Sequence, residues 1–280
     1  MSDPKTTQNA LNAAFASGDT AAVIGEVLAG EAARSVLDIG CGRGLLARSL
    51  LARGLAVTGI DPSETAVAAA RASAPEAVVE VGTAEALPFE DGRFDAAIFL
   101  NSLHHVPVAA MSTALAETAR VTRPGGTILV VEPLAEGPYF EAMRPVEDES
   151  EIREAAGMAV ADAVRAGRFT LRGNVVYQRG ERFRDVGQFI TRLEAVEPLR
   201  AAAVADNRSA VEARFEAEAE IEDGMHILVQ PLRVYWLRVP GRRRGFGVHP
   251  FPTLPVTHPA ATIGPHGATI ACRHSSISPD

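Results

Sequence analysis

The sequence predicts an α/β protein of the doubly wound kind, with a Rossmann-like, seven-stranded, mostly parallel sheet and a helical insertion after the fifth strand. Two observations predict it. Short apolar runs alternate with segments of helical periodicity through the first half of the chain, and strands separated by helices of this length imply βαβ units. The first apolar run also ends in a cluster of glycines, where such a sheet places its ligand loop.

Val36 to Ile39 is a continuous apolar run broken only by Asp38, which reads as a buried strand. Leu45 to Arg53 has helical character, and Gly54 supplies a stop. Leu55 to Ile60 is a second strand, ended by Asp61-Pro62, and Thr65 to Ala72 is a helix of good formers. Ala77 to Val81 and Phe94 to Leu100 are the third and fourth strands. Val108 to Thr122 repeats Met111, Leu115 and Ala119 on one helical face. Pro124-Gly-Gly126 reads as a turn, and Thr127 to Val131 as the fifth strand. Ile152, Ala156, Val160 and Val164 then give a helix within roughly 140–168. Asn174 to Gln178 and His226 to Val239, the latter interrupted at Pro231, complete the strands, with a helix at Val211 and Phe215 between them.

The chain is expected to form one domain over 1–240, with a cofactor-binding half at about 34–133 and a substrate-side insertion at about 134–180. Beyond Pro240, six prolines and four of the seven histidines arrive without periodicity, so 241–280 is expected to be a disordered tail. Those histidines stand eight or nine residues apart, which fits no metal-ligand motif, and no metal is expected.

Apolar residues make up 47% of the chain, enough for a sizeable core. No run approaches the roughly 20 apolar residues that span a bilayer. Met1 to Asn12 is polar and lacks the apolar stretch of a signal peptide, so a cytoplasmic location is expected. Cys41 and Cys272 are too few and too far apart for a disulfide framework or a zinc site. The formal charge is −8, and residues 241–280, with four arginines and one acid, carry +3 of it, leaving −11 on residues 1–240. An acidic body disfavours extended contact with nucleic acid, whose phosphates reward Lys and Arg.

The chemistry is concentrated in four loops. In Asp38-Ile-Gly-Cys-Gly-Arg-Gly44 the glycines turn the chain out of the first strand and let a ligand approach the backbone. A dinucleotide fingerprint, G-x-G-x-x-G, needs glycine at position 45, where Leu stands. Asp38 would repel a pyrophosphate but suits the ammonium group of an amino-acid moiety. Asp61 ends the second strand, 21 residues after Gly40, where an acid accepts hydrogen bonds from a ribose diol. Backbone groups at Thr83 and Ala84, after the third strand, are placed to read an adenine edge; Glu85 either joins them or caps the following turn. The fourth strand ends in Asn101-Ser-Leu-His-His105. His104 or His105 has the chemistry to take a proton from an acceptor, and the alternative is that both pack and hydrogen-bond at the strand end.

As an ordered set, Asp38 to Gly44, Gly59-Ile-Asp61, Gly82 to Phe89, Phe94-Asp95, Leu103 to Val106 and Arg123 to Gly126 resemble the class I S-adenosylmethionine-dependent methyltransferases. More narrowly they are similar to the type 11 group, which includes the ubiquinone and menaquinone biosynthesis methyltransferases. The resemblance covers about residues 34–133. It implies S-adenosyl-L-methionine as cofactor. The methionine part would lie on Asp38, Gly40, Cys41, Gly42 and Gly44, the ribose on Asp61 beside Pro62, and the adenine at Thr83, Ala84 and Glu85. Asn101 and Ser102 would flank the cofactor, with a small-molecule acceptor beyond. Many members carry Asp where Thr83 stands. The fourth strand lacks Asn-Pro-Pro-Tyr, which disfavours DNA or protein-glutamine acceptors. Two rival readings are a nucleotide-linked oxidoreductase on a Rossmann sheet and a non-catalytic module that keeps the cofactor pocket. The acceptor is expected under the helix containing Ile152 to Val164, with Tyr139, Phe140, Met143 and Tyr177 supplying apolar cover.

Overall fold

The computed structural model describes residues 4–196 and 200–241. The expectation for 241–280 therefore lies outside the described residues, Gly241 apart. Two helices open the chain, α1 (Pro4–Ser17) and α2 (Thr20–Gly30). The sheet then begins with β1 (Ser35–Ile39), α3 (Leu45–Leu51), β2 (Ala56–Asp61), α4 (Glu64–Ser73), β3 (Val78–Val81) and β4 (Phe94–Leu100). A short 3-10 turn (Leu103–His105), α5 (Val108–Val121) and β5 (Thr122–Pro133) follow. The second half holds α6 (Pro138–Met143), α7 (Ser150–Arg165), β6 (Thr170–Phe183), α8 (Val186–Val196), α9 (Arg200–Glu218), β7 (Glu220–Glu222) and β8 (Met225–Arg238).

The sheet order is β3-β2-β1-β4-β5-β8-β6, with β7 pairing β8 outside that path. The pairings from β3 through to β5 are parallel, whereas β5–β8, β6–β8 and β7–β8 are antiparallel. Seven strands were expected, and the described residues form eight, because Glu220–Glu222 folds back on the start of β8 through a turn at Asp223-Gly224. Three residues are too few to show a period, which is why β7 has no signature in the sequence.

Alternate residues along the central strands feed two cores. Leu37, Ile39, Ala97, Phe99, Ile128 and Val130 pack with α5 and α7 on one face. Val36, Ala96, Ile98, Leu129 and Val131 pack with α2 and α3 on the other. The helix around Ile152 to Val164 contributes a layer to the first of these cores. Ala156, Val160 and Ala163 of α7 are buried against the same cluster as Met111 and Leu115 of α5. Tyr139, Phe140 and Met143 do not join it; they form a separate cluster with Phe183, Phe189 and Phe215.

Other boundaries differ for physical reasons. Pro124-Gly-Gly126 is not a free turn: β5 begins at Thr122, its register slips between Phe94 and Ala96, and Gly125 and Gly126 exchange hydrogen bonds with Val239. β8 is not interrupted at Pro231, which pairs opposite Gln178 and needs only its carbonyl there, accepting from Leu134 N at 2.9 Å. β6 outgrows Asn174–Gln178 because β8 offers it a partner along its length. Helix α2 is held by tertiary packing, with Val23, Ile24, Val27 and Leu28 buried, and Asp19 caps it by accepting from Ala22 N at 3.0 Å.

Candidate functional site

Parallel strands deliver their carboxyl ends to one edge of the sheet, and the loops after β1, β2, β3, β4 and β5 meet there. The loop after β1 is pinned to β2: Gly40 N and Cys41 N both donate to Ile60 O, at 2.8 and 3.1 Å. Gly42 N donates to Asp61 Oδ2 at 2.8 Å, and Ser63 N donates to Asp61 Oδ1 at 2.9 Å. Gly42 sits at φ +52 with nothing within 4 Å of where a Cβ would stand, so the loop presents bare backbone to open space.

Asp38 is the unusual group. It is 1% exposed, and its Oδ2 is buried without a hydrogen-bond partner. Burial first, and then the nearby Asp61, push its pKa from 3.8 up to about 7. A buried carboxylate beside a second acid and short of donors calls for a cationic or hydrogen-bond-donating ligand. Cys41 plays a different part. Its side chain packs with Val67, Ala70 and Val79, so only its backbone faces the loop. Burial, then Asp38 and Asp61, push its thiol up to about 12, which leaves no reactive thiolate.

Gly82 N donates to Asp61 O at 3.1 Å, which sets the loop after β3 against the β2 end. Thr83 is exposed, Ala84 buried and Glu85 half-buried in this loop, while Pro62 is exposed beside Asp61. The loop after β4 is tied to β1 by Ser102 Oγ, which donates to Ile39 O at 2.6 Å. Asn101 takes the left-handed conformation at φ +52, and its Oδ1 is buried without a partner.

The two histidines diverge. His104 is buried, and its Nδ1 shares a hydrogen bond with Oε2 of Glu132. His105 lies tilted against His104, with ring centroids 4.1 Å apart, but part of its surface reaches solvent. Its surroundings, and His104 after them, lower its pKa below the usual histidine value.

Sequence reasoning missed Glu132. Its Oε1 accepts from Ser102 N at 3.1 Å and Leu103 N at 2.8 Å, so one buried carboxylate shapes the whole turn after β4. The signal was present, because an acid directly after the apolar run ending Val130-Val131 needs a buried partner. A buried ion network above it was also missed. Glu149 bonds Arg153 at 2.6 Å and Arg200 at 2.7 Å, joining α7 to α9. Burial alone would raise Glu149, but Arg153, His104 and Arg200 hold its carboxyl below the usual range.

Residues 37–130 match the family described as a methyltransferase domain. The matched residues form a domain similar to that family. This domain is 43% identical over 111 residues to a ubiquinone biosynthesis O-methyltransferase of Alkalilimnicola ehrlichii, a match covering 38% of this chain and 44% of the relative. It is 42% identical over 100 residues to an uncharacterised methyltransferase of Mycobacterium bovis, covering 36% of this chain and 40% of that one. The match thus spans less than half the length of these curated relatives. Among solved structures, the YcgJ protein of Bacillus subtilis shares the fold at a TM-score of 0.56 and 19% identity, over 84% of this chain and all of that one. The methyltransferase domain matches across the strands β1 to β5 that carry the loops described above. No described helix is long and apolar enough to cross a membrane.

Proposed function

We propose that this chain transfers the methyl group of S-adenosylmethionine to a small-molecule acceptor. The observation that carries the reading is the buried, unpartnered Asp38 carboxylate next to Asp61 and the open backbone at Gly42. An ammonium group relieves two crowded acids, whereas a pyrophosphate would add charge of the same sign. That contrast favours this cofactor over a nicotinamide dinucleotide.

In this reading Asp38 and the backbone of Gly40 to Gly44 hold the amino-acid end. Asp61 accepts from the ribose with the lone pairs that Gly42 and Ser63 leave free. Thr83 and Ala84 line the adenine side, with Glu85 behind them. Asn101 and Ser102 close the floor. When bound, the sulfonium supplies an electrophilic methyl group. The chain's own task is then to hold the acceptor in line and exclude water, which accounts for much of the rate in such transfers. Where the acceptor bears a proton, His105 is placed to receive it: its ring is partly open, and its lowered pKa keeps it neutral near pH 7. His104 is a positioning residue, committed to Glu132.

The test is calorimetry with S-adenosylhomocysteine and NAD, followed by methyl transfer on a metabolite panel. S-adenosylhomocysteine binding without NAD binding is expected. Tighter binding of NAD would overturn the assignment in favour of a nucleotide-linked oxidoreductase, and cofactor binding without turnover across the panel would favour a binding module.

A further inference from the structure

A cleft of about 300 Å³ opens beside the cofactor loops. Its walls are the α1–α2 turn from Gly18 to Ala21, Leu45 and Leu46 at the start of α3, Leu100 at the end of β4, and Arg179 to Glu181 of β6. Leu45 and Leu100 are the chain neighbours of Gly44 and Asn101, so one edge of the cleft lies next to the loops after β1 and β4. Leu46 and Leu100 belong to the core on the Val36 face of the sheet, and strand alternation puts Asp38 on that same face.

The charges in the cleft are not balanced toward anions. Arg179 is occupied, with its Nε 2.9 Å from Glu181 Oε1, although the pair is not aligned as a hydrogen bond. Glu181 is also approached by Arg192, at 3.5 Å. Asp19 adds a carboxylate whose Oδ1 is used in capping α2. The Thr20 and Tyr177 hydroxyls share one hydrogen bond at 2.6 Å, buried behind the cleft wall. Leu45 is 66% exposed and supplies apolar contact. The wall itself is fixed, because Gly18 at φ +69 lies so close to β6 that a Cβ would come within 2.5 Å of Gln178 O.

Resting on the methyltransferase reading, we propose that this cleft takes a small acceptor with an apolar body and a neutral or cationic polar group, and that Glu181 sets this selectivity by keeping Arg179 from anions. The volume suits a molecule of about one ring, at the small end of ligand sites. A protonated amine or a hydroxyl donates to Asp19 and Glu181. A carboxylate meets both acids and finds Arg179 and Arg192 already turned to Glu181.

The experiment measures binding of benzylamine, benzyl alcohol and benzoate to the full chain saturated with S-adenosylhomocysteine, by calorimetry at fixed ionic strength. Benzylamine should bind more tightly than benzyl alcohol, and benzoate more weakly than either by about tenfold, the scale of one like-charge contact. Glu181→Gln frees Arg179 and should improve benzoate relative to benzylamine by about tenfold. Asp19→Asn keeps a good cap and removes a charge, so it should narrow the same preference without unfolding α2. Wild-type preference for benzoate, an unchanged ratio in both variants, or no binding of any probe would overturn the proposal. Failure of the methyltransferase reading is seen separately, as loss of S-adenosylhomocysteine binding to the unaltered chain.

Discussion

Replacing Asp38 by Asn should stabilise the empty protein while weakening its cofactor site. Burial and Asp61 move the Asp38 pKa from 3.8 to about 7 in the folded chain, an upward shift for an acid. The unfolded chain therefore holds fewer protons on this group than the folded one, and its contribution to stability falls as pH rises from about 4 to about 7. At pH 8 the full shift corresponds to a cost of about 4 kcal/mol, and at pH 5 to about 2 kcal/mol. Asparagine removes the titration, so the variant's advantage over wild type should grow by about 2 to 3 kcal/mol between pH 5 and pH 8. Urea unfolding of the empty protein at the two pH values measures this. Calorimetry at pH 8 should show weaker S-adenosylhomocysteine binding by about 1.5–3 kcal/mol, the scale of a hydrogen bond to a charged group. A gain equal at both pH values would refute the burial argument. Unchanged affinity would refute the placement of Asp38 against the ligand.

Asp61→Ala should weaken S-adenosylhomocysteine binding by about 1.5–3 kcal/mol and also lower the melting temperature, since Gly42 N and Ser63 N lose their acceptor; intact affinity in a titration would leave Asp61 only its turn. The acid limb of kcat/KM should lie below the usual histidine range and disappear in His105→Gln, whereas His104→Gln should chiefly reduce stability; identical pH profiles for wild type and His105→Gln would remove the base assignment. Gly18→Ala combines φ +69 with a Cβ 2.5 Å from Gln178 O, so denaturant unfolding should show a loss above about 1–2 kcal/mol, and a neutral result would mean that the α1–α2 turn does not bear on β6. Phe140→Ala should cost about 3–5 kcal/mol by opening a cavity among Phe183, Phe189 and Phe215. A loss of turnover without any loss of stability would instead return Phe140 to the acceptor site.

Local chemistry was legible in the sequence. The apolar runs of β1, β2 and β4, the glycines after β1, and Asp38 and Asp61 at strand ends follow from propensity and spacing, because a parallel strand buried on both faces needs a continuous apolar run and a turn needs its glycine. Long-range pairing was not legible. Nothing local marks Glu132 as the acceptor for the turn after β4, since its partners Ser102, Leu103 and His104 lie about thirty residues away in sequence. Nothing local separates His104 from His105 either; one is buried against Glu132 and the other is left partly open because the turn points them differently. The helical period of α7 was correct, but which sheet face it covers depends on where β5 delivers the chain, and packing with α5 made it core. The sequence by itself determined the parallel strands β1 to β4, the loops that follow them and the class of ligand they suit. Only the tertiary structure decided which buried charges find partners and which, like Asp38, are left to a ligand, because burial and hydrogen bonding are properties of neighbours in space.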